Sequence, residues 1–115
     1  VDIPDHDPLA QNELFGPVLI VNRISNIDEA VMRVNTSSFG LAAGIWTDDL
    51  DEAIATSARL ETGTVHVNSY GEDGNQIPFG GIKDSGIGKE KSVDTLSSYS
   101  HVKSVCIRLP SGEAT

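Results

Sequence analysis

The residues able to do chemistry in this chain are few and scattered. There is one thiol, Cys106, and there are three imidazoles, His6, His66 and His101. Cys106 lies between Val105 and Ile107 in an apolar alternation. A nucleophilic thiol needs an accessible, electropositive setting such as a helix N-terminus, so Cys106 reads as structural. The histidines show no ligand spacing, and Asp5-His6-Asp7 reads as a solvated terminal segment rather than a metal cluster. His66 falls inside a strand and reads as a packing or interface residue; Ser100-His101 has no assignable acidic partner for a triad. The glycines of residues 80–91 fail both phosphate-binding patterns. Ile87 follows Gly86 where a phosphate loop needs lysine, and Gly86-Ile87-Gly88 is followed by Lys89-Glu90-Lys91 with no third glycine. The plainer reading is irregular, glycine-permitted backbone packed against other structure.

The elements that must position such residues are legible from period and punctuation. Pro17-Val18-Leu19-Ile20-Val21 is short, apolar and β-branched, which predicts a buried strand. Ser25 or Asn26 then caps a helix whose apolar face is Ile27, Ala30, Val31 and Val34, with Asp28 and Glu29 in its first turn. Residues 41–46 predict a second strand. Thr47 or Asp48 caps a second helix with Leu50, Ala53, Ile54 and Ala58 on one face and Gly63 just past its end. Thr64-Val65-His66-Val67 predicts a third strand. The expected fold class is therefore α/β, a β-α-β-α-β unit with right-handed crossovers and a parallel sheet. Residues 68–88 carry six glycines and no period, and a loop of that length inside a compact domain is often functional. A short helix is expected from Lys89 or Glu90 to about Tyr99, and residues 102–109 alternate as a last strand.

Composition bounds what the chain can do. Its 115 residues suit one domain. A single cysteine leaves no intrachain disulfide. With no signal-like start, it points to a reducing, cytoplasmic setting. No apolar run approaches the roughly 18 residues that span a bilayer. Seventeen acidic against eight basic residues give a net charge of −9, which disfavours nucleic acid and reads as a solubility feature. The chain begins at Val1, and residues 2–8 contain Pro4 and Pro8, an extended lead-in that suggests a cut from something longer. Residues 110–115 are small and polar and read as a frayed end.

Five segments, in order, resemble the NAD(P)-dependent aldehyde dehydrogenase superfamily. They are Asn12-Glu13-Leu14-Phe15-Gly16-Pro17-Val18, then Phe39-Gly40-Leu41-Ala42-Ala43-Gly44-Ile45-Trp46-Thr47, then Gly63-Thr64-Val65-His66-Val67-Asn68. Pro78-Phe79-Gly80-Gly81-Ile82-Lys83-Asp84-Ser85-Gly86 and Gly88-Lys89-Glu90 complete the set. Any one is weak; five in order and at family spacing, over about residues 5–109, are specific. The resemblance implies residues 1–100 as the carboxyl-terminal part of the catalytic domain and 101–115 as an oligomerisation strand and tail. It implies NAD or NADP as cofactor and a small aldehyde as substrate. It implies a homodimer or homotetramer joined through the last strand.

By the same resemblance Glu13 accepts hydrogen bonds from the nicotinamide ribose and Phe15 packs near the nicotinamide, whereas an unaided reading makes them a loop carboxylate and a core aromatic. Residues 68–79 resemble one wall of the substrate tunnel, with Phe79 close to the nucleophile. Glu72 and Asp73 at its mouth would attract a cationic end of the substrate, as in aminoaldehydes; otherwise they are solvated loop charges. Glu90 matches a glutamate behind the active site, or else caps or salt-bridges locally. Lys89 stands where arginine is more usual, and a lysine cannot reproduce a bidentate contact. The nucleophilic cysteine, the deacylating glutamate and the Rossmann domain have no counterparts in this chain, so the chain alone is expected to be inactive. Two other readings are a coenzyme-A-acylating relative and a non-catalytic α/β module kept for oligomerisation or binding.

Overall fold

A computed structural model gives the fold and describes residues 3–71 and 74–109. Each helix has a local cause. Asp7 accepts the Leu9 amide at 2.8 Å and Pro8 opens the turn of α1 (Pro8–Gln11). Helix α2 (Ile27–Asn35) is capped by Asn26, whose Oδ1 accepts the Glu29 amide at 2.9 Å. The Glu29 carboxylate reaches back to accept the Ser25 amide at 2.8 Å, a close relative of the capping box. That amide bond is the main reason the Glu29 carboxyl is held below its ordinary value, with Arg33 assisting. Arg33 also forks onto Asp5 at 2.7 to 3.1 Å, tying the lead-in to α2.

Strand β1 (Phe39–Gly40) is followed by β2 (Ala42–Ile45), α3 (Leu50–Ser57) and β3 (Thr64–Val67). Strands β2 and β3 are parallel, from Ala42 opposite Thr64 to Ile45 opposite Val67, with α3 as their crossover. Strand β1 pairs antiparallel with β4 (Ile82–Lys83), Phe39 opposite Lys83 and Gly40 opposite Ile82. A short helix, α4 (Thr95–Ser98), follows. The Lys83 ammonium donates to the carbonyls of Asn35 and Ser37 at 2.8 and 3.1 Å, placing a cation at the C-terminus of α2.

Both long helices and the parallel β2–β3 pair agree with the sequence reading, and several finer expectations are corrected. The sheets are two strands wide, not a continuous β-α-β-α-β sheet. Residues 17–21 form no strand, and Val18, Leu19 and Val21 are exposed. Residues 102–109 are likewise unpaired, with Val102 fully open and Cys106 exposed. A strand needs a neighbour for its amides and carbonyls, and among the described residues neither segment has one. Asp49, not Thr47 or Asp48, caps α3. Its Oδ1 accepts the Glu52 amide at 3.0 Å, while the Thr47 hydroxyl accepts the Asp49 amide and donates to Glu52. On α3 only Ala53 of the expected apolar face is buried, and Leu50 and Ile54 are exposed because the sheet below is too narrow to cover them. Gly63 is not the residue after α3, which is capped at Ala58. No helix starts at Lys89 or Glu90: Glu90 sits in a bridge to Phe79, and Lys91 and Ser92 have φ of 58° and 52°.

Among the described residues Val31 and Ala53 are the buried hydrophobics, joined by Thr56 and His66. His66 packs its ring 5.2 Å from that of Tyr70, in keeping with a packing role. The radius of gyration is 22.4 Å, and the longest extent is 91 Å. A compact chain of this length would measure about 13 Å. Among the described residues no helix is long and apolar enough to cross a membrane.

Candidate functional site

The expected site residues fall in two places. The first is the segment after α1. Glu13 is exposed and its carboxylate makes no hydrogen bond or ion pair with the described residues. Phe15 has a φ of 48° and is 92% exposed. A left-handed φ on a bulky residue is uncommon. Together with Leu9, Leu14 and Leu19 they line an open cleft of about 360 Å³. This pairing of an unengaged carboxylate with an open aromatic face could receive a diol and a flat ring side by side.

The second place is the glycine-rich loop, whose two feet are pinned. At the first foot β3 ends in Asn68, with φ of 54°, a conformation asparagine tolerates better than most residues. Its amide donates to the Ile45 carbonyl at 2.8 Å. Its side chain accepts the Thr47 amide at 3.0 Å and donates to the Thr47 carbonyl at 2.8 Å. At the second foot Phe79 and Glu90 exchange backbone hydrogen bonds of 2.9 and 2.8 Å. The Lys91 ammonium stands 5.2 Å from the Phe79 ring centroid, within cation–π range. The Lys89 ammonium donates to the carbonyls of Gly80 and Gly81 at 2.6 and 3.2 Å. A cavity of about 510 Å³ opens here, lined by Leu41, Phe79, Ser85, Ile87, Glu90 and Tyr99 among others.

Glu90 is exposed, and its backbone rather than its carboxylate makes the contact to Phe79. Glu72 and Asp73 lie outside the described residues. The two clefts share no lining residue, so this chain does not by itself bring Glu13 and Phe15 against Phe79. Among the described residues no group of three or more histidine, cysteine or acidic side chains could hold a metal ion.

Sequence reading missed three participants. The Asn68 bracket on Thr47 had one signal, an asparagine closing a strand ahead of a loop. The Lys91 contact and the Lys89 clamp had none, because their partners are a ring and carbonyls that the sequence does not place.

This arrangement matches known proteins. Residues 1–105 fit the model of the aldehyde dehydrogenase family, and the chain belongs to that family. It is 40% identical over 109 residues to the NADP/NAD-dependent aldehyde dehydrogenase PuuC of Escherichia coli (strain K12), covering 95% of this chain and 22% of that protein. It is 44% identical over 109 residues to the mitochondrial aldehyde dehydrogenase of Homo sapiens, covering 95% of this chain and 21% of that protein. Its fold overlays an NAD+ complex of aldehyde dehydrogenase from Bacillus cereus with a TM-score of 0.86 and 38% identity, over 95% of this chain and 22% of the other. The chain thus spans about a fifth of the length of these relatives.

Proposed function

We propose that this chain forms the carboxyl-terminal part of the catalytic domain of a cytoplasmic aldehyde dehydrogenase, a protein that oxidises an aldehyde and water to a carboxylate with NAD+ or NADP+. The observation that carries the reading is the presentation of Glu13 and Phe15: a carboxylate with no partner beside an open ring, on a segment matched by the family. These groups fit the nicotinamide riboside end of a dinucleotide. The chain has no phosphate-binding glycine pattern, so the remainder of the cofactor is held by residues outside it. A dinucleotide held there would supply the hydride acceptor for the oxidation. Glu13 accepts the ribose hydroxyls and Phe15 limits the tilt of the ring. Phe79 forms part of the substrate wall, and Glu90 stands behind it.

The nucleophile of the reaction lies outside these residues. Cys106, exposed on an unpaired tail beyond α4, has none of the surroundings that activate a thiol. The chain alone is therefore inactive. Residues 101–109, unpaired among the described residues of this chain, gain a partner only by pairing with a neighbouring subunit and so join a homodimer or homotetramer. Glu72 and Asp73 favour aldehydes with a cationic far end, such as aminoaldehydes. The test is formation of reduced nicotinamide by the intact polypeptide over a panel of aldehydes, with each cofactor. No turnover with any aldehyde would defeat the reading. Changing Glu72→Gln and Asp73→Asn together raises KM for aminoaldehydes and leaves aliphatic aldehydes unchanged; equal effects on both would remove the substrate assignment alone.

A further inference from the structure

Residues 89–91 grip Phe79 and the peptides after it in three different ways. The backbone of Glu90 pairs with that of Phe79, Lys91 faces the ring, and Lys89 reaches the next two carbonyls. The Lys89 contact joins a side-chain hydrogen bond to the main chain of the loop. We propose that Lys89 is a positioning residue for Phe79 and hence for the substrate wall, an inference that rests on the function assigned above.

The backbone crossing around Lys89 explains why a cation is needed there. A Cβ on Gly63 would stand 1.7 Å from the Gly80 oxygen, and one on Gly80 would stand 2.5 Å from the Gly88 oxygen. Three backbone segments therefore touch: the lead-in to β3, residues 80–81 and residues 88–89. Chains this close leave no room for a side chain between them. The Gly80 and Gly81 carbonyls point into that crossing and make no backbone hydrogen bond with the described residues. Partly buried carbonyls without donors are costly. The ammonium answers two of them with charge-assisted bonds and is itself half-buried against the same strands. Removing it leaves both carbonyls to find water, which requires the strands to part. Phe79, one residue earlier, moves with them.

The experiment uses the intact polypeptide with Lys89→Met, Lys89→Arg, Phe79→Leu and the double variant Lys89→Met/Phe79→Leu. Two readouts are taken: hydrogen exchange of the Phe79 and Glu90 amides, and KM and kcat for a bulky aldehyde. In Lys89→Met, exchange at both amides is expected to quicken about tenfold, and KM to rise about tenfold with kcat nearly unchanged. Lys89→Arg, with donors for both carbonyls, is expected to restore most of the loss. On the Phe79→Leu background Lys89→Met is expected to add little, because two residues acting as a unit are not additive. Unchanged exchange in Lys89→Met, or the same KM penalty with and without Phe79, would overturn the proposal. If Lys89→Met does not fold, Lys89→Gln, shorter and uncharged but still an amide donor, is read in the same way. If the intact polypeptide oxidises no aldehyde, the functional reading fails and the exchange measurement alone decides the clamp.

Discussion

Glu13 and Phe15 stand two positions apart, and the left-handed turn at Phe15 sets the carboxylate and the ring toward one cleft. If Glu13 holds the cofactor's ribose, Glu13→Ala in the intact enzyme should raise KM for NAD(P)+ about tenfold, the scale of one or two hydrogen bonds to a charged acceptor. Aldehyde KM should stay put. Steady-state kinetics with the cofactor varied makes the check, and a change confined to aldehyde KM would contradict the assignment. Their candidacy was legible because the flanking Gly16-Pro17 and the family order fix the local frame. The part played by Lys89 was not. A lysine hydrogen-bonded to carbonyls leaves no trace in sequence, since every residue supplies a carbonyl and only the fold says which two are left without donors.

Helices α2 and α3 rest on side-chain caps at their first turns, Asn26 and Asp49. Asn26→Ala and Asp49→Ala should each destabilise the intact protein by about 1 kcal/mol, measured as a shift of the denaturant midpoint. Glu29 adds a pH signature. Its folded value is lowered, chiefly by the Ser25 amide, so its stabilisation is complete above the ordinary glutamate range and is lost as pH falls through the lowered value. Glu29→Gln should flatten that acid-side loss and leave neutral-pH behaviour otherwise intact. These helices and the β2–β3 pair were readable because their causes are local: a cap, a 3.6 period, a short apolar run. The β1–β4 pair and the Phe79–Glu90 bridge were not. They join two-residue segments or single residues far apart in sequence, and such short pairings carry no period. Residues 17–21 show the converse. Their pattern is that of a strand, but strand formation depends on a neighbour that no pattern within the segment supplies.

At the scale of the molecule, apolar surface is laid open along an elongated body. Val102, Leu19, Ile107 and Leu109 are each at least 78% exposed. Among the described residues few hydrophobics are buried, and the radius of gyration far exceeds that of a compact chain. A stand-alone module would have to tolerate this surface in water, which disfavours that alternative. The 115-residue chain by itself should bind a hydrophobic dye, self-associate at micromolar concentration and melt without a sharp transition. Sedimentation and calorimetry decide; a monomer with a cooperative melt would restore the module reading. The glycine crossing has a further consequence, for anyone wishing to retune substrate choice. The loop is a span between two fixed abutments, Asn68 locked to Thr47 and Phe79 locked to Glu90. Variant libraries can be spread over residues 69–71 and 74–77, where side chains are mostly open to solvent. At Gly63 and Gly80 any added side chain must push a neighbouring backbone aside, so diversity there would be spent on misfolded clones.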